Sequence, residues 1–415
     1  MFKTVILTLA CTLTLATDCF SADWFQFRGP DGNGVAQGTG FPTSWGAEKN
    51  VKWATGIPGQ GWSSPVAGKG RIYLTSAIPK QTGEATGYTL TTICIDAGSG
   101  EIVWSTPVFE QKVDAPRIHG KNSHASPTPI LAGKRLYVHF GHLGTACLGI
   151  DGKIIWTNTD VNYSPVHGNG GSPILVKDRL VFSVDGSKSA FIVALNAKDG
   201  AEAWRFDRES TSGRKFSFST PAAVEVNGTT QIISPGSDVV HAVDLNDGSL
   251  IWKVSYTGYS VIPRPVIGHG MVFLSTSYDS PSVMAIKLDG KGDVTDTHVA
   301  WSLTRGAPHT PSLLLVDKEL YMISDRGIAT CLDATSGEIH WQQRVGKTYS
   351  ASPVYADGKI YLQSEDGFGI VIKASTKYEL VSTNSLGART LASYGVDGND
   401  LLIRTADQLY RITSE

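Results

Sequence analysis

Half of the histidines of this chain lie in one short stretch. Five of the ten fall between residues 119 and 167, within the segments HGKNSH, HFGHLG and VHGNGG. Imidazole groups bind Zn²⁺, Cu²⁺ or Ni²⁺ and exchange protons near neutral pH, so this cluster could form a metal or acid–base site. His119 and His124, however, have neither zinc-finger nor helical HExxH spacing, and no carboxylate ligand is obvious nearby. The stretch therefore favours a site for a polar ligand or a peptide, and we assign no metal to it.

The elements that must position these histidines repeat along the chain. The segment CIDAGSGEIVW at 94–104 returns as CLDATSGEIHW at 331–341, with related copies ALNAKDGAEAW at 194–204 and AVDLNDGSLIW at 242–252. Each unit ends in a tryptophan, at intervals of 40 to 52 residues: Trp53, Trp104, Trp156, Trp204, Trp252, Trp301 and Trp341. One more interval of 40 residues reaches Val381, which we expect to keep the apolar role without the ring. Such regular self-similarity is the signature of a repeat architecture.

Four strand signals recur within each unit. A first strand follows a small–Ser/Thr–Pro signal, found as SSPV (63–66), ASPT (125–128), GSPI (171–174), STPA (219–222), HTPS (309–312) and ASPV (351–354), with PRPV (263–266) as a variant. A turn and a second strand come next, then a third strand ending in the small–x–Asp segment, and a fourth ending at the tryptophan. Four antiparallel strands repeated about every 48 residues predict the blade of a β-propeller.

The units predict an all-β, eight-bladed propeller. Seven are explicit between Trp104 and Val381, and the C-terminal GNDLLIRTADQLYRI supplies strands of another but lacks its fourth. The segment NVKWATG at 50–56 offers that strand, so we expect the N-terminal strand to pair with the C-terminal strands and close the ring. The 45 glycines, 19 prolines and only 18% charged residues suit short strands and tight turns. We expect residues 23–415 to form one propeller domain.

The N-terminus predicts export. Residues 1–22 combine a basic start, an apolar run and small residues before Asp23, as a secretory signal peptide does. We therefore expect a periplasmic or extracellular protein, with no membrane-spanning segment in the mature chain. The net charge of −2 and the absence of a Lys/Arg run argue against a nucleic-acid partner. Because Cys94, Cys147 and Cys331 occupy equivalent repeat positions, we expect buried packing residues rather than reactive thiols.

The terminal segment Ala-x-Asp-x-x-Thr/Ser-Gly-x-x-x-Trp resembles the tryptophan-docking motif of PQQ-type quinoprotein propellers. The opening DWFQFRGPDGNGV, with HGKNSHASPTP and HGNGGSP, is similar to that of exported bacterial PQQ-like proteins. The superfamily includes PQQ-dependent alcohol and sugar dehydrogenases and a non-enzymatic lipoprotein of the outer-membrane β-barrel assembly machinery. Unlike many of the dehydrogenases, this chain has no adjacent cysteine pair, and their calcium-binding Glu, Asn and Asp and their catalytic Asp match no motif here. The resemblance thus predicts the fold and leaves the function open.

One face of the predicted propeller carries nearly all unusual loops. Connections between first and second and between third and fourth strands are generic turns, whereas the second-to-third and blade-to-blade loops on the opposite face are rich in His, Asn, Arg and Lys. Loops on a rigid scaffold are where binding groups concentrate. The candidate ligand-binding residues there are His119, Lys121, Asn122, His124, His142, His167, Asn169, Asp185, Arg214, Lys215, Arg264, Asp325 and Arg326. The alternative is that these side chains merely line the channel, satisfied by backbone and water.

Two main functions follow from this arrangement, and a glycan-active enzyme on the same rim is a third, weaker option. The preferred hypothesis is an exported binding or assembly module that takes a protein, or a small polar or glycan ligand, on its His/Asn/Arg-rich face. The alternative is a PQQ- and calcium-dependent alcohol or sugar dehydrogenase, with Asp185 or Asp325 as base and Arg264 or Arg326 near the quinone oxygens. No Ser-His-Asp order, nucleophile elbow or P-loop stands out, and HGNGGSP opens a predicted blade rather than a helix. We therefore expect binding rather than catalysis and commit to no cofactor.

Overall fold

The chain forms a ring of eight β-sheets. The computed structural model describes residues 23–82, 85–112 and 116–414. The predicted signal peptide, residues 1–22, lies outside the described residues. Each sheet contains four antiparallel strands, and one carries an additional short parallel strand. This confirms the predicted all-β, eight-bladed propeller.

We number the sheets as blades 1 to 8 in chain order and name their strands from the channel outwards. The strands of the first four blades are: blade 1, Val66–Gly68, Arg71–Thr82, Ala85–Asp96 and Ile102–Gln111; blade 2, Ile130–Ala132, Arg135–His139, Thr145–Gly149 and Ile154–Asn158; blade 3, Ile174–Val176, Arg179–Asp185, Ala190–Asn196 and Glu202–Asp207; blade 4, Ala222–Val226, Thr229–Pro235, Val239–Asp244 and Leu250–Ser255. The strands of the last four blades are: blade 5, Val266–Gly268, Met271–Ser275, Val283–Lys287 and Val299–Leu303; blade 6, Leu314–Val316, Glu319–Ile323, Ile328–Asp333 and Ile339–Arg344; blade 7, Val354–Ala356, Lys359–Gln363, Phe368–Lys373 and Leu380–Ser385; blade 8, Gly395–Asp397, Asp400–Arg404, Gln408–Ile412 and Val51–Gly56. The remaining regular elements are the strand Gly292–Asp293, the 3₁₀ turn Gly141–Leu143 and the helix Thr295–His298.

Both ends of the chain build blade 8. Its outer strand, Val51–Gly56, pairs antiparallel with Gln408–Ile412, so that Val51 lies opposite Ile412 and Gly56 opposite Gln408. The predicted closure of the ring is therefore confirmed. Pairing the two ends leaves no open sheet edge between the first and last blades.

The repeated tryptophan joins each blade to the next. The indole N–H of Trp156, at the end of blade 2, donates to the carbonyl of Ala197 in blade 3 at 3.2 Å, and its ring lies against Gly200. Gly200 adopts φ +78°, and a Cβ there would lie 2.5 Å from that ring, so the turn requires glycine. The same donation to the next blade is made by Trp53, Trp104, Trp204, Trp301 and Trp341. The Asp–x–x–Ser/Thr–Gly–x–x–x–Trp segment is thus part of the scaffold.

Trp252 is the exception to this pattern. Its indole donates to the side-chain oxygen of Gln231 at 2.9 Å, and the Gln231 amide donates in turn to the carbonyl of Leu288 in blade 5 at 3.3 Å. A glutamine therefore relays the contact between blades 4 and 5.

The expectation for Val381 is wrong, because a distant residue takes the packing role. Val381 is 36% exposed on the outer strand of blade 7. Trp45, from the segment before blade 8's outer strand, is buried between blades 7 and 8 with its ring stacked at 6.4 Å on Tyr361. Tyrosines at the equivalent position in other blades, such as Tyr137, pack against the docking tryptophan of their own blade. Trp45 replaces the ring that blade 7 lacks.

The three cysteines of the described residues are buried and free, which confirms the packing interpretation. Burial raises the pKa of Cys94 and Cys331 to about 12 and that of Cys147 to about 11. Because the thiolate is the reactive form, these thiols are inert at neutral pH.

A ring of hydroxyl groups surrounds the channel where the inner strands begin. At the position two residues before each inner strand, the backbone N–H of one blade donates to the side-chain hydroxyl of the next, as from Ser64 to Thr128 at 3.0 Å and from Thr128 to Ser172 at 2.9 Å. The eight ring positions are Ser64, Thr128, Ser172, Thr220, Arg264, Ser312, Ser352 and Ser393. In blades 2 and 6 the Ser/Thr–Pro pairs of ASPT and HTPS lie two positions before the ring, and Thr128 and Ser312 hold the ring positions. Blade 5 alone has an arginine in the ring.

The N-terminal segment 24–36 closes one end of the channel. Trp24 pairs with Ala67 of blade 1, the carbonyl of Phe25 accepts from the Leu131 amide of blade 2, and Ala36 donates to Tyr355 of blade 7. These three partners lie three residues beyond the ring positions of their inner strands, on the side away from the blade-to-blade loops. The side chain of Arg264 crosses to the same segment and donates to the carbonyl of Phe27 at 2.8 Å. We call residues 24–36 the plug.

Candidate functional site

A funnel opens into the channel on the face of the blade-to-blade loops. It encloses a cavity of about 560 Å³. Its floor is formed by Phe27 of the plug and by the seven Ser/Thr residues of the hydroxyl ring, all of which line the cavity. Its wall comes from the loops that enter all eight blades, including Trp62 before blade 1, and from the second-to-third loops of blades 5 and 6. The plug makes the funnel blind, so a ligand enters and leaves from this face.

Aromatic and imidazole rings form a continuous ladder that lines the funnel wall from His119 to Tyr278 and continues to His309 beside it. Successive centroids lie 5.6 Å apart between His119 and His167, 5.4 Å from His167 to Phe216, 5.7 Å from Phe216 to Tyr259, 6.1 Å from Tyr259 to Tyr278 and 5.1 Å from Tyr278 to His309. The ladder spans the entrances of blades 2 to 6. Ring-lined concave surfaces of this kind bind apolar or planar groups and supply large contact areas at little entropic cost.

Polar side chains interrupt the ladder at defined points. The guanidinium of Arg214 lies 4.6 Å above the Tyr259 ring and also donates to its hydroxyl oxygen. Two blades further along the ring, the Asp325 carboxylate accepts the backbone N–H of His309 at 2.7 Å. Lys121 forms an ion pair with Glu365 at 2.7 Å, across the rim between blades 2 and 7. The funnel therefore combines aromatic rings on its wall with hydroxyl groups at its floor, and it carries charged groups of both signs near its rim.

The structure brings six of the thirteen predicted site residues to the funnel. They are His119, Lys121, Asn122, His167, Arg214 and Asp325. The amide of Asn122 donates to the carbonyl of His167 at 2.9 Å, which fixes the two neighbouring loops to each other. The loops that carry these six residues lie on one face, as the topological argument predicted, and what the residues bind stays a prediction.

Three further candidates lie beside the funnel. His124 lines a neighbouring cavity of about 460 Å³ with its ring 4.6 Å from that of Tyr88, and burial together with His142 lowers its pKa to about 4. His142 is half-buried, with its ring 6.4 Å from that of Tyr163. Asn169 accepts from the Tyr163 hydroxyl at 2.8 Å. These three side chains lie outside the funnel, behind the loops that enter blades 2 and 3.

The last four candidates do not converge on the cavity. Asp185 is fully buried between blades 3 and 4, where it pairs with Arg208 at 2.8 Å. Arg264 lies below the funnel floor, Arg326 is exposed, and Lys215 is half-buried in the loop between blades 3 and 4, outside the cavity lining.

A PQQ–calcium site does not fit these residues. That hypothesis places Asp185 or Asp325 as base, Arg264 or Arg326 near the quinone oxygens and a calcium ion around one open pocket. Asp185 is held by Arg208 away from the funnel, and the guanidinium of Arg264 is engaged by the plug. Asp325 reaches the wall, but among the described residues no three His, Cys, Asp or Glu side chains are grouped to hold a metal ion. We therefore derive no chemical step through this cofactor.

Sequence reasoning missed the aromatic ladder and the plug. A signal for the ladder is present, because His167, Phe216, Tyr259 and His309 each stand three to five residues before a ring position, in four consecutive blades. The histidines drew attention to blades 2 and 3 only. The plug left no such signal, since its sequence DWFQFRGPDGNGV occurs once and follows no repeat.

Two buried histidines predict a loss of stability in acid. Burial lowers the pKa of both His139 and His241 to about 3, and their exposure is only 2% and 0%. A pKa below that of the unfolded chain, 6.5, gives stability that is complete above pH 6.5 and is lost as the pH falls. Between pH 7 and pH 5 we expect each histidine to cost about 2 kcal/mol of unfolding free energy. Urea unfolding at both pH values measures this.

The control for the acid effect is the His139→Gln/His241→Gln double variant. Asp185, whose pKa burial raises to about 6, opposes the trend between pH 6 and pH 4, but it does so equally in both proteins. Between pH 7 and pH 5, the unfolding free energy of the wild type should therefore fall by more than that of the double variant. Identical pH profiles for the two proteins would contradict the assignment.

Comparison with known proteins shows matches of sequence and of fold. The family model described as outer membrane protein assembly factor BamB matches residues 50–190, 188–316 and 293–380. The BamB protein of Yersinia pestis is 24% identical over 250 residues, 54% of this chain and 60% of that protein. That of Salmonella typhimurium is 24% identical over 292 residues, 58% of this chain and 71% of that protein. The chain thus aligns with less than two thirds of the length of the Yersinia relative.

Solved structures share the fold. BamB from Moraxella catarrhalis superposes with a TM-score of 0.62 at 13% identity, covering 87% of this chain and 96% of that one. A europium-containing methanol dehydrogenase superposes with a TM-score of 0.63 at 11% identity, covering 83% and 82%. An assembly factor and an enzyme match equally well, so the fold alone does not choose between them.

Proposed function

The chain belongs to the family described as outer membrane protein assembly factor BamB, and we propose that it is an exported binding module for polypeptide segments in outer-membrane protein assembly. The observation that carries the proposal is the blind, aromatic-lined funnel on the loop-bearing face. Binding there requires no catalytic group. The site of action is outside the cytoplasm, following the signal peptide predicted at residues 1–22. Among the described residues, no helix has both the length and the apolar character needed to cross a membrane.

The shape and chemistry of the funnel support an extended polypeptide as ligand. The ladder from His119 to His309 crosses five blade entrances, which is a longer path than one small ring compound needs. The seven ring hydroxyls below it offer hydrogen bonds to a backbone or a polar side chain. Strands of outer-membrane barrels alternate apolar and polar residues and carry aromatic residues near their ends. Such a segment would place aromatic side chains on the ladder and polar ones toward the hydroxyls.

We predict that removing one ring of the ladder weakens peptide binding. The probe is a fluorescent ten-residue peptide with alternating apolar and polar side chains and a terminal aromatic residue, followed by fluorescence anisotropy. The Phe216→Ser variant should bind about tenfold more weakly, because each well-packed interfacial aromatic is worth 1 kcal/mol or more.

Phe368→Ser is the matched control for this experiment. Phe368 is an exposed phenylalanine beside a second-to-third loop of blade 7, on the same face but outside the funnel lining. Its removal should leave the affinity unchanged. Equal affinities of the wild type and Phe216→Ser, or no preference over a peptide of the same composition without alternation, would contradict the proposed function.

A further inference from the structure

A second cavity adjoins the funnel at one end of the ladder. This space of about 460 Å³, which we call the side cavity, lies between the loops that enter blades 1, 2 and 8. Trp62, His119 and Asn122 line both the funnel and the side cavity, so these side chains stand between the two spaces. Because His119 is the last ring of the ladder in the direction of blade 2, an extended chain that follows the ladder that way reaches the side cavity.

The long hairpin of blade 1 forms one wall of the side cavity. Its two strands, Arg71–Thr82 and Ala85–Asp96, have 12 residues each, whereas the second and third strands of the other blades have 5 to 7. The additional length includes Tyr88, whose ring centroid lies 4.6 Å from that of His124. Ile118 adds an aliphatic surface to the same lining. Such a wall takes up an apolar side chain, and the volume lies within the range of about 300–1,000 Å³ found for ligand sites.

One arginine is held beside this wall without an acidic partner. The guanidinium of Arg389 lies 5.7 Å from the ring centroid of Trp62, and its Nη2 donates to the carbonyl of Gly120 at 2.9 Å. Among the described residues, its Nε and Nη1 groups have no acceptor and no carboxylate pairs with it. Two contacts thus orient the guanidinium, and N–H donors remain for a ligand.

The described lining of the side cavity contains no acid. Arg389 is its single Lys, Arg, Asp or Glu residue. The imidazole of His124 and the side-chain amide of Gln60 line the same space, and no described residue forms a hydrogen bond with either group. Because burial lowers the pKa of His124 to about 4, its neutral ring offers one N–H and one acceptor nitrogen. A guanidinium with neutral donors beside an aromatic wall favours a ligand that joins an aromatic ring to an anionic group.

We propose that the side cavity binds the C-terminal residue of the polypeptide on the ladder, with its aromatic side chain against Tyr88 and Trp62 and its carboxylate on Arg389. Successive side chains of an extended chain point to opposite sides, so an internal aromatic residue and an acidic neighbour do not face one cavity together. A C-terminal aromatic residue carries its ring and its carboxylate on one Cα. Capture of the chain end rests on the proposed function, because the ladder leads the chain to this cavity. It also gives the bound chain a direction, with its C-terminus at blade 2 and its N-terminal part toward blade 6.

Two versions of the alternating peptide test the capture of the carboxylate. Both have an N-terminal fluorophore and a C-terminal phenylalanine, and one ends in a free acid whereas the other ends in an amide. By fluorescence anisotropy, the wild type should bind the free acid about fivefold more tightly, the size expected for a partly exposed ion pair. Arg389→Met should bind both peptides equally, with the affinity that the wild type has for the amide.

Arg326→Met is the matched control, because Arg326 is an exposed arginine of the same face that lines neither cavity. This variant should retain the preference for the free acid. If it loses the preference as Arg389→Met does, then general attraction between arginines and an anionic peptide explains the effect, and the terminal site is refuted.

A free-acid peptide that ends in alanine tests the aromatic part of the site. The wild type should bind it about tenfold more weakly than the peptide that ends in phenylalanine, since a well-packed interfacial aromatic is worth 1 kcal/mol or more. Equal affinities would show that no terminal ring enters the side cavity, against the proposal.

The outcomes separate the terminal site from the peptide-binding function of the funnel. If the wild type binds acid and amide equally, the funnel keeps its function and the capture of the C-terminus is overturned. A preference for the acid that survives in Arg389→Met also overturns it. Binding of neither peptide contradicts the proposed function and, with it, the terminal site. The comparison of acid and amide on the wild type needs no variant, so it tests the proposal even if Arg389→Met does not fold.

Discussion

Replacing Trp45 by alanine should destabilise the propeller by about 3–5 kcal/mol, the range for deleting a buried tryptophan. Trp45 is 4% exposed, stacks on Tyr361 and meets Tyr394 edge to face, with both centroids 6.4 Å from its own. Its backbone N–H donates to the side chain of Asn384 at 2.9 Å. Trp45 takes the place of a docking tryptophan at the junction of blades 7 and 8, where buried residues of both blades pack around it, so its removal leaves a cavity among close-packed neighbours. The shift of the urea unfolding midpoint measures the loss.

Val381→Ala is the control for Trp45→Ala. Val381 is the residue to which the repeat interval assigned the apolar role, but it is exposed, and the strand register places Ser382 opposite Val371, where blade 6 has Trp341 opposite Cys331. Its truncation should therefore change stability by no more than about 0.5 kcal/mol. If Val381→Ala costs as much as Trp45→Ala, then Val381 itself carries the packing that the repeat interval predicted. The replacement of the ring by Trp45 would then be refuted.

Removing Arg208 should be comparably severe for an electrostatic reason. Arg208 and Asp185 form an ion pair whose side chains are completely buried, and Arg208 also donates to the carbonyl of Ser234 at 2.8 Å and to its hydroxyl at 2.6 Å. In Arg208→Met the carboxylate of Asp185 stays buried without its partner. Breaking a buried pair from one side costs about 3–5 kcal/mol. Chemical denaturation at pH 8 should show this loss.

The pH dependence and a double variant separate charge from packing at this pair. In the wild type, burial raises the pKa of Asp185 to about 6 although Arg208 opposes the rise. Without Arg208 the folded-state pKa rises further, so the stability of the variant is greatest below the unfolded value of 3.8 and falls as the pH rises. We therefore expect the cost of Arg208→Met to shrink at pH 4.5, and Arg208→Met/Asp185→Asn to recover most of it at pH 8. A double variant no more stable than the single one would show that lost packing dominates.

The histidine-rich stretch illustrates how far residue type alone predicts a site. Loop topology brought His119 and His167 to one face, and the structure puts their rings 5.6 Å apart. His139 shares their stretch of sequence but lies on a strand, where it is buried and accepts or donates a hydrogen bond with Thr145. Residue type suggested one cluster, whereas strand and loop positions divide it between funnel wall and core.

The sequence by itself determined the blade, the number of blades and the closure of the ring. These features rest on local physics repeated around the ring: alternating strands, turns that need glycine, and, in seven of the eight units, the tryptophan of one unit against the next. Because these strand, turn and tryptophan patterns recur along the chain, one sequence is enough to recognise them.

Only the tertiary structure decided which residues close the channel and which reach the funnel. Trp45 and Asn384 are 339 positions apart, and Arg28 and Leu313 are 285 apart. Arg264 departs from the ring pattern because it holds the plug, and Asp185 leaves the rim because Arg208 buries it. Each of these contacts occurs once and joins remote segments, so it leaves no period in the sequence. Its existence depends on the closed ring that brings the two ends of the chain together.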